Sequence, residues 1–171
     1  MTVVALDADC YRMLMGRTTR FGGDLKGIKT LHINAVIADW LKGSQISVSD
    51  KLSVAATYHD PCVLARFFED TDSPRFILSQ ILEKELSEMA TCKTEANCCG
   101  AGGMLAVHRA DVSEDVAMMR INEAKESGAS LLVSGCPRCD ETFKKAMAAR
   151  GIEDIEVANL VALVAEAVGT K

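Results

Sequence analysis

The sequence predicts an α/β fold, a mostly parallel sheet flanked by helices. Three observations predict it. Short, apolar, β-branched runs alternate along the 171 residues with stretches whose apolar positions recur at helical spacing. Hydrophobic residues make up 49% of the chain but aromatics only 5%, so Ala, Val, Ile, Leu and Met must build the core, a mixture that suits helices laid on a compact sheet. The best strand, Leu131–Ser134, stops at Gly135-Cys136-Pro137, a turn that opens a helix.

In chain order, Thr2–Ala8 reads as a buried strand, and helix-like sequence follows around Cys10–Met15. A polar, glycine-containing stretch, Gly16–Gly27, separates it from a second strand at Lys29–Ile33. Val36, Ile37, Trp40 and Leu41 then recur at helical spacing, with Gly43 as the stop. Leu52–Tyr58 is a third strand, ending at His59-Asp60-Pro61-Cys62. Ser73-Pro74 starts a helix, because proline in the first turn gives up no needed N–H; Phe76, Ile77, Ile81, Leu82, Leu86 and Met89 are its apolar face. The run Cys98-Cys99-Gly100-Ala101-Gly102-Gly103 is too rich in glycine for a helix. Asp111 and Glu114 form an acidic capping box for a helix running to Gly128. Leu131–Ser134 is a strand, Thr142–Ala149 a helix, Ile152–Val157 a strand and Leu160–Val168 a closing helix.

The two ends of the chain resemble each other. Aligning Cys10 with Cys139 sets Val3-Val4 against Leu132-Val133 and puts Asp7 where Cys136 stands. Further on, Leu31-His32-Ile33 parallels Ile155-Glu156-Val157, each followed by a helix. Residues 1–50 are therefore expected to be the tail of one repeat and residues 51–171 a complete second one. A cut-short first unit exposes apolar surface unless it packs on the second or on another chain. It carries one cysteine of the pattern, so a single site is expected.

Bulk properties exclude several classes. The net charge is −5 and the basic residues are scattered, with no basic stripe interleaved with aromatics, so nucleic acid is not an expected partner. No apolar run reaches the roughly 18–20 residues that span a bilayer. The N-terminus lacks the features of a signal peptide, so a cytoplasmic location is expected, with any membrane attachment made through a partner. Seven cysteines in such a chain favour metal binding or redox chemistry over a disulfide framework.

Five of the seven stand where cofactors are commonly held. Cys62 follows a strand and a proline, Cys98-Cys99 opens the glycine loop, and Cys136 and Cys139 sit where a strand passes into a helix. In a parallel sheet the carboxyl ends of the strands share one edge, so strands ending near Cys62 and Cys136 bring these thiols together. Thiolates ligate iron–sulfur clusters and also zinc. Glycines at 100, 102 and 103 allow close backbone approach and leave N–H groups for an anion. Pro137 at the first helical position and the helix N-terminus favour an ionised Cys136. A phosphate-binding P-loop is excluded, since no Lys-Ser/Thr follows Gly103.

The order Cys62, gap, Cys98-Cys99-Gly100, gap, Cys136-Pro137-Arg138-Cys139 resembles the cysteine-rich CCG domain. That domain occurs in heterodisulfide reductase catalytic subunits and in iron–sulfur subunits of glycolate and lactate oxidation, anaerobic glycerol-3-phosphate dehydrogenase and sulfate-reducer membrane complexes. Tyr58-His59-Asp60-Pro61-Cys62 and the glycine loop are similar to the family's pattern too. The resemblance implies that Cys62, Cys98, Cys99, Cys136 and Cys139 bind one noncubane [4Fe–4S] cluster, with Cys98 or Cys99 bridging, serving electron transfer to thiol or disulfide substrates. Asp7-Ala8 stands where a complete first copy would show Cys-Pro. The ferredoxin-type C-x-x-C-x-x-C run that many relatives carry is absent from this sequence, so electrons are expected from another redox subunit or domain.

Two other readings of the same thiols stay open. Four thiolates complete a tetrahedral zinc site in a structural docking module, which makes a fifth superfluous. Alternatively Cys136 and Cys139 cycle as dithiol and disulfide without metal, which leaves the other three unexplained. His59 either braces its loop by a hydrogen bond or delivers a proton to a substrate sulfur. Cys10 is expected to be a buried small side chain and Cys92 a loop thiol near the site. His32 and His108 are structural or surface residues, and Arg66 and Arg109 either offset a cluster's charge or form exposed salt bridges. The Met13–Met15 and Met118–Met119 pairs are expected core filler.

Overall fold

A computed structural model describes residues 1–17, 23 and 25–169. Much of the Gly16–Gly27 stretch therefore lies outside the described residues. The elements are β1 (Thr2–Ala5), α1 (Ala8–Arg12) running into a π-helical turn at Met13–Arg17, β2 (Lys29–His32), α2 (Ile33–Lys42), β3 (Ala56–His59), α3 (Cys62–Phe67), α4 (Asp72–Ile81), α5 (Leu105–His108), α6 (Ala110–Glu126), β4 (Leu131–Ser134), α7 (Pro137–Arg150), β5 (Glu156–Asn159) and α8 (Leu160–Val168). The α/β architecture stands, but its strands form two sheets: β1 pairs with β2, and a second sheet has the order β3-β4-β5. All of these pairings are parallel.

The larger sheet is buried on both faces, as parallel sheets require. The period of two along β4 sorts its side chains between two cores. Leu131 and Val133 join Ala56, Tyr58, Ile77, Ile81 and Leu160 under α2, α4 and α8. Leu132 faces the other way, with Leu64, Ile121, Phe143 and Ala146, under α6 and α7. In β3, Ala56 and Tyr58 belong to the first face, so Thr57 and His59 turn toward α6 and α7.

Several boundaries differ from the sequence expectation for identifiable reasons. The third strand starts at Ala56, because Leu52 instead makes a single parallel bridge to Leu82. Helix α4 ends at Ile81, and the Leu52–Leu82 bridge draws the chain away. Leu86 and Met89 are thus packed, on opposite cores, from irregular chain rather than from a helix. The capping box at Asp111 and Glu114 does not form: α6 begins at Ala110, Asp111 pairs with Arg109, and Glu114 pairs with Arg150. Helices α3 and α5 are too short to leave a periodic signal. Met13 and Met15 are exposed rather than core, as is Met119, while Met118 packs partly.

The order β1-α1-β2-α2 parallels β4-α7-β5-α8. Asp7 caps α1 through its side chain, accepting from the Cys10 N–H at 2.9 Å, and Cys136 is the residue before α7. Next, His32 Nδ1 accepts from Asn34 N–H and Asn159 Oδ1 from Val161 N–H, so His32 corresponds to Asn159. This shifts the second half of the internal match by three residues from the alignment on Glu156.

The N-terminal segment locks onto the larger sheet through a close approach. A Cβ on Gly135 would lie 2.9 Å from both the Asn34 amide nitrogen and the Tyr58 hydroxyl. Tyr58 and Asn34 are fully buried. Gly135→Ala is expected to destabilise the fold by about 1–3 kcal/mol through overpacking, read as a lower denaturant midpoint at unchanged slope.

Candidate metal centre

The parallel register of β3 and β4 pairs His59 with Ser134, so both strands end at the same edge. Two residues beyond Ser134 stands Cys136, and three beyond His59 stands Cys62 at the start of α3. The loop preceding α5 brings Cys98 and Cys99 to the same edge. Cys62, Cys98, Cys99, Cys136 and Cys139 line one cavity together with Ala8, Asp9, Pro61, Ala101 and Arg138. All five sequence-predicted site residues converge there.

Each thiol contacts the next. Cys62 hydrogen-bonds Cys98, Cys98 bonds Cys99, Cys99 bonds Cys139, and Cys139 bonds Cys136. The Cys98 thiol is pushed far below its ordinary value, chiefly by accepting from Cys62, then from Cys99 and the Gly100 N–H. Cys136 is lowered by accepting from Cys139 and from N–H groups at the start of α7. Cys62 is raised by donating to Cys98, then by burial. Cys139 is raised by donating to Cys136 and Cys99, and by burial. Thiolate character therefore falls on Cys98 and Cys136, and the thiols beside them donate.

Gly100 cannot be replaced at no cost. Its φ is +85°, and a Cβ would lie 2.5 Å from the Ser113 carbonyl oxygen of α6. The Ser113 hydroxyl donates to the Gly100 carbonyl at 2.9 Å, pinning the loop that carries both cysteines. Arg66 braces the same loop by donating to the Thr94 and Ala96 carbonyls. Asp60, 1% exposed, holds the loop after β3: Arg75 donates to both its oxygens at 2.8 and 3.0 Å, and Lys93 N–H adds a third bond at 2.7 Å.

His59 is fully buried. A ring nitrogen of His59 and the sulfurs of Cys99 and Cys139 lie within 4.8 Å of one another. Burial, and then the Arg120 guanidinium, lower its pKa to about 3, so a neutral imidazole faces the sulfurs and imidazolium proton delivery near neutral pH is not supported. Arg120, donating to His59 Nδ1 at 3.2 Å, was not foreseen from the sequence. The signal was present: Arg120 sits on the helical stripe of Ala117, Ile121 and Ala124 and is 0% exposed.

Asp7 contributes from the N-terminal segment. Its Oδ2 lies 3.8 Å from Cys136 Sγ, so the residue that replaces a cysteine in the internal match meets the cysteine it matches. Cys10 is exposed, not buried, since α1 buries only Ala8. Cys92 is half-buried in the loop before Cys98, near Arg120. His32 is a buried cap, His108 is exposed, and Arg109 forms an exposed pair with Asp111.

The donor set fits a thiophilic metal group: five sulfurs at one sheet edge, ringed by backbone N–H groups and one buried imidazole. A family model described as a cysteine-rich domain, CCG, matches residues 56–144. The chain is 33% identical over 162 residues to one of the subunits of the dihydromethanophenazine:CoB–CoM heterodisulfide reductase of Methanosarcina acetivorans, covering 95% of this chain and 39% of that protein. It is 29% identical over 167 residues to the "Probable iron-sulfur-binding oxidoreductase FadF" of Bacillus subtilis, covering 97% of this chain and 23% of that one. Identity to one of the subunits of the fumarate reductase (CoM/CoB) of Methanothermobacter marburgensis is 26% over 162 residues, covering 95% and 31%. The chain thus spans well under half the length of these relatives.

Two outcomes follow from the geometry. In the metal-free, reduced protein, the lowered pKa of half-buried Cys98 keeps its thiolate at pH values where ordinary thiols are protonated. Alkylation at pH 6 mapped by mass spectrometry should favour Cys98 over exposed Cys10, whose pKa is raised by its hydrogen bond to Asp7, and Cys10 should gain as the pH rises. Arg75→Met leaves the Asp60 carboxylate buried without its cation and should cost about 3–5 kcal/mol in chemical denaturation.

Proposed function

This chain belongs to the CCG cysteine-rich domain family, and from that premise we propose that it is an iron–sulfur redox module resembling heterodisulfide reductase subunits. Cys62, Cys98, Cys99, Cys136 and Cys139 would hold one cluster, of the noncubane [4Fe–4S] kind. The observation that carries this reading is the lining of a single cavity by all five sulfurs. When bound, such a cluster supplies reversible one-electron chemistry and iron that accepts a substrate sulfur.

The chain's own residues do the rest. Gly100 lets the double-cysteine loop lie against α6, and Ser113 holds it there. The first N–H groups of α7 stabilise negative charge at Cys136. Asp60 and Arg75 fix the turn from β3 into Cys62. Thiols or disulfides are the proposed substrates, with electrons supplied by other redox subunits or domains, since the relatives include proteins named as subunits. Residues 1–50 are read as the remnant of a first, degenerate repeat and residues 51–171 as the complete domain, supported by the shared order of elements in the two segments. Among the described residues no helix is long and apolar enough to cross a membrane. A cytoplasmic site of action is proposed, with membrane association only through a partner.

Zinc is the second reading, favoured by one observation: four of the five sulfurs lining the cavity are enough to complete a tetrahedral site. Metal and acid-labile sulfide analysis with a visible spectrum on anaerobically reconstituted protein decides between them. About four iron with matching sulfide and a brown colour are expected for the cluster, against one zinc for a structural site. No metal uptake with a reducible Cys136–Cys139 disulfide would turn the reading to a dithiol oxidoreductase. Cys99→Ser should abolish cluster assembly, and full iron and sulfide retention in that variant would contradict its ligand role.

A further inference from the structure

Resting on the iron–sulfur reading above, we infer that His59 is a fixed N–H donor to the sulfur of the centre, its proton locked on Nε2 by Arg120. Arg120 Nε lies 3.2 Å from His59 Nδ1, and a guanidinium has donors but no acceptor. Nδ1 must therefore present its lone pair, and the single ring proton sits on Nε2. The same bond excludes the doubly protonated ring, which has no lone pair at Nδ1.

Arg120 is not free to release the ring. Its Nη1 donates to the Thr91 carbonyl at 2.7 Å and the Thr91 hydroxyl at 2.9 Å, and it pairs with Glu123. Glu123 is itself held by the Thr91 hydroxyl and the Asn97 amide. Phe143 fixes the plane of the imidazole, edge-on at 90° with centroids 5.0 Å apart. Among the described residues His59 Nε2 finds no hydrogen-bond partner, although it is fully buried. The groups beside the ring are the Cys99 and Cys139 sulfurs. A buried N–H without a partner is costly, so thiolate or sulfide at this edge is what satisfies it.

The geometry also denies His59 a ligand role. To bind a metal, Nε2 would have to shed its proton and become imidazolate. The ring instead stabilises negative charge on sulfur, most strongly in the reduced state, and so raises the reduction potential. Arg120 does not touch the centre and is a positioning residue.

The test uses the full chain with 15N-labelled histidine. Ring-nitrogen NMR of the reduced, metal-free protein should show His59 only as the Nε2–H tautomer, assigned by the signal lost in His59→Gln. An Nδ1–H tautomer would overturn the inference. Arg120→Met should give a mixture of tautomers, and an unchanged single tautomer would remove Arg120 from the lock. In reconstituted protein, potentiometry followed by electron paramagnetic resonance should give His59→Leu a lower midpoint than wild type. His59→Gln, whose amide keeps a donor, should restore most of the difference. An unmoved midpoint in His59→Leu, or a His59→Gln value as low as that of His59→Leu, sinks the inference. Iron and sulfide content of the same samples separates the two levels: without a cluster the iron–sulfur reading fails, and the wild-type tautomer alone then decides the role of His59.

Discussion

The site depends on the parallel pairing of β3 with β4. With His59 opposite Ser134, two strands far apart in sequence end together, and the chain leaving each carries a cysteine within three residues. Slipping the register by one would turn His59 away from α6 and α7 and send Tyr58 among the sulfurs. Both faces of this sheet are buried, so the register is strongly specified by packing: Tyr58, Leu131 and Val133 fill one core while Leu132 fills the other.

Around that edge the structure gathers charge in an ordered way. Asp60 and Arg120 are buried ions behind the cysteine cavity, each held by partners: Arg75 and the Lys93 N–H for Asp60, and Glu123 of the same helix with Thr91 of the preceding loop for Arg120. Buried pairs of this kind add little to stability compared with apolar packing, so they are better understood as fixing the geometry of one side chain each. Asp60 sets the turn that presents Cys62, and Arg120 sets the orientation of His59. The cavity side then carries sulfurs, N–H groups and one neutral ring, with Arg138 also in its lining, an environment that accepts negative charge.

The N-terminal segment is more than an appendage to this edge. Asn34 of α2 fills the space left by the missing side chain of Gly135, and Asp7 reaches Cys136 from the end of β1. Two βαβα units of like order thus meet near Cys136, with an acidic residue where the internal match puts a cysteine. The outer side of β1–β2 keeps Val4 and Leu6 exposed, as expected of a segment read as half of a larger unit.

Local signals along the chain were enough to specify the α/β class, the order of the longer elements and the five cysteines that the fold brings to one cavity. Those signals are β-branched runs, helical spacing, Gly-Cys-Pro at a strand end, and glycines beside adjacent thiols. Where competing contacts outweighed local preference, the expectation failed. The Leu52–Leu82 bridge ended α4 early, Arg109 and Arg150 took the two carboxylates of the supposed capping box, and Cys10 on α1 and Met13 and Met15 on the π-helical turn after it faced outward. Packing alone put Arg120 behind His59, 61 residues away, and brought Asp7 to Cys136 across 129. Hydrophobic period reports which way a side chain points. Which distant partner makes a buried charge tolerable is settled only when the elements pack.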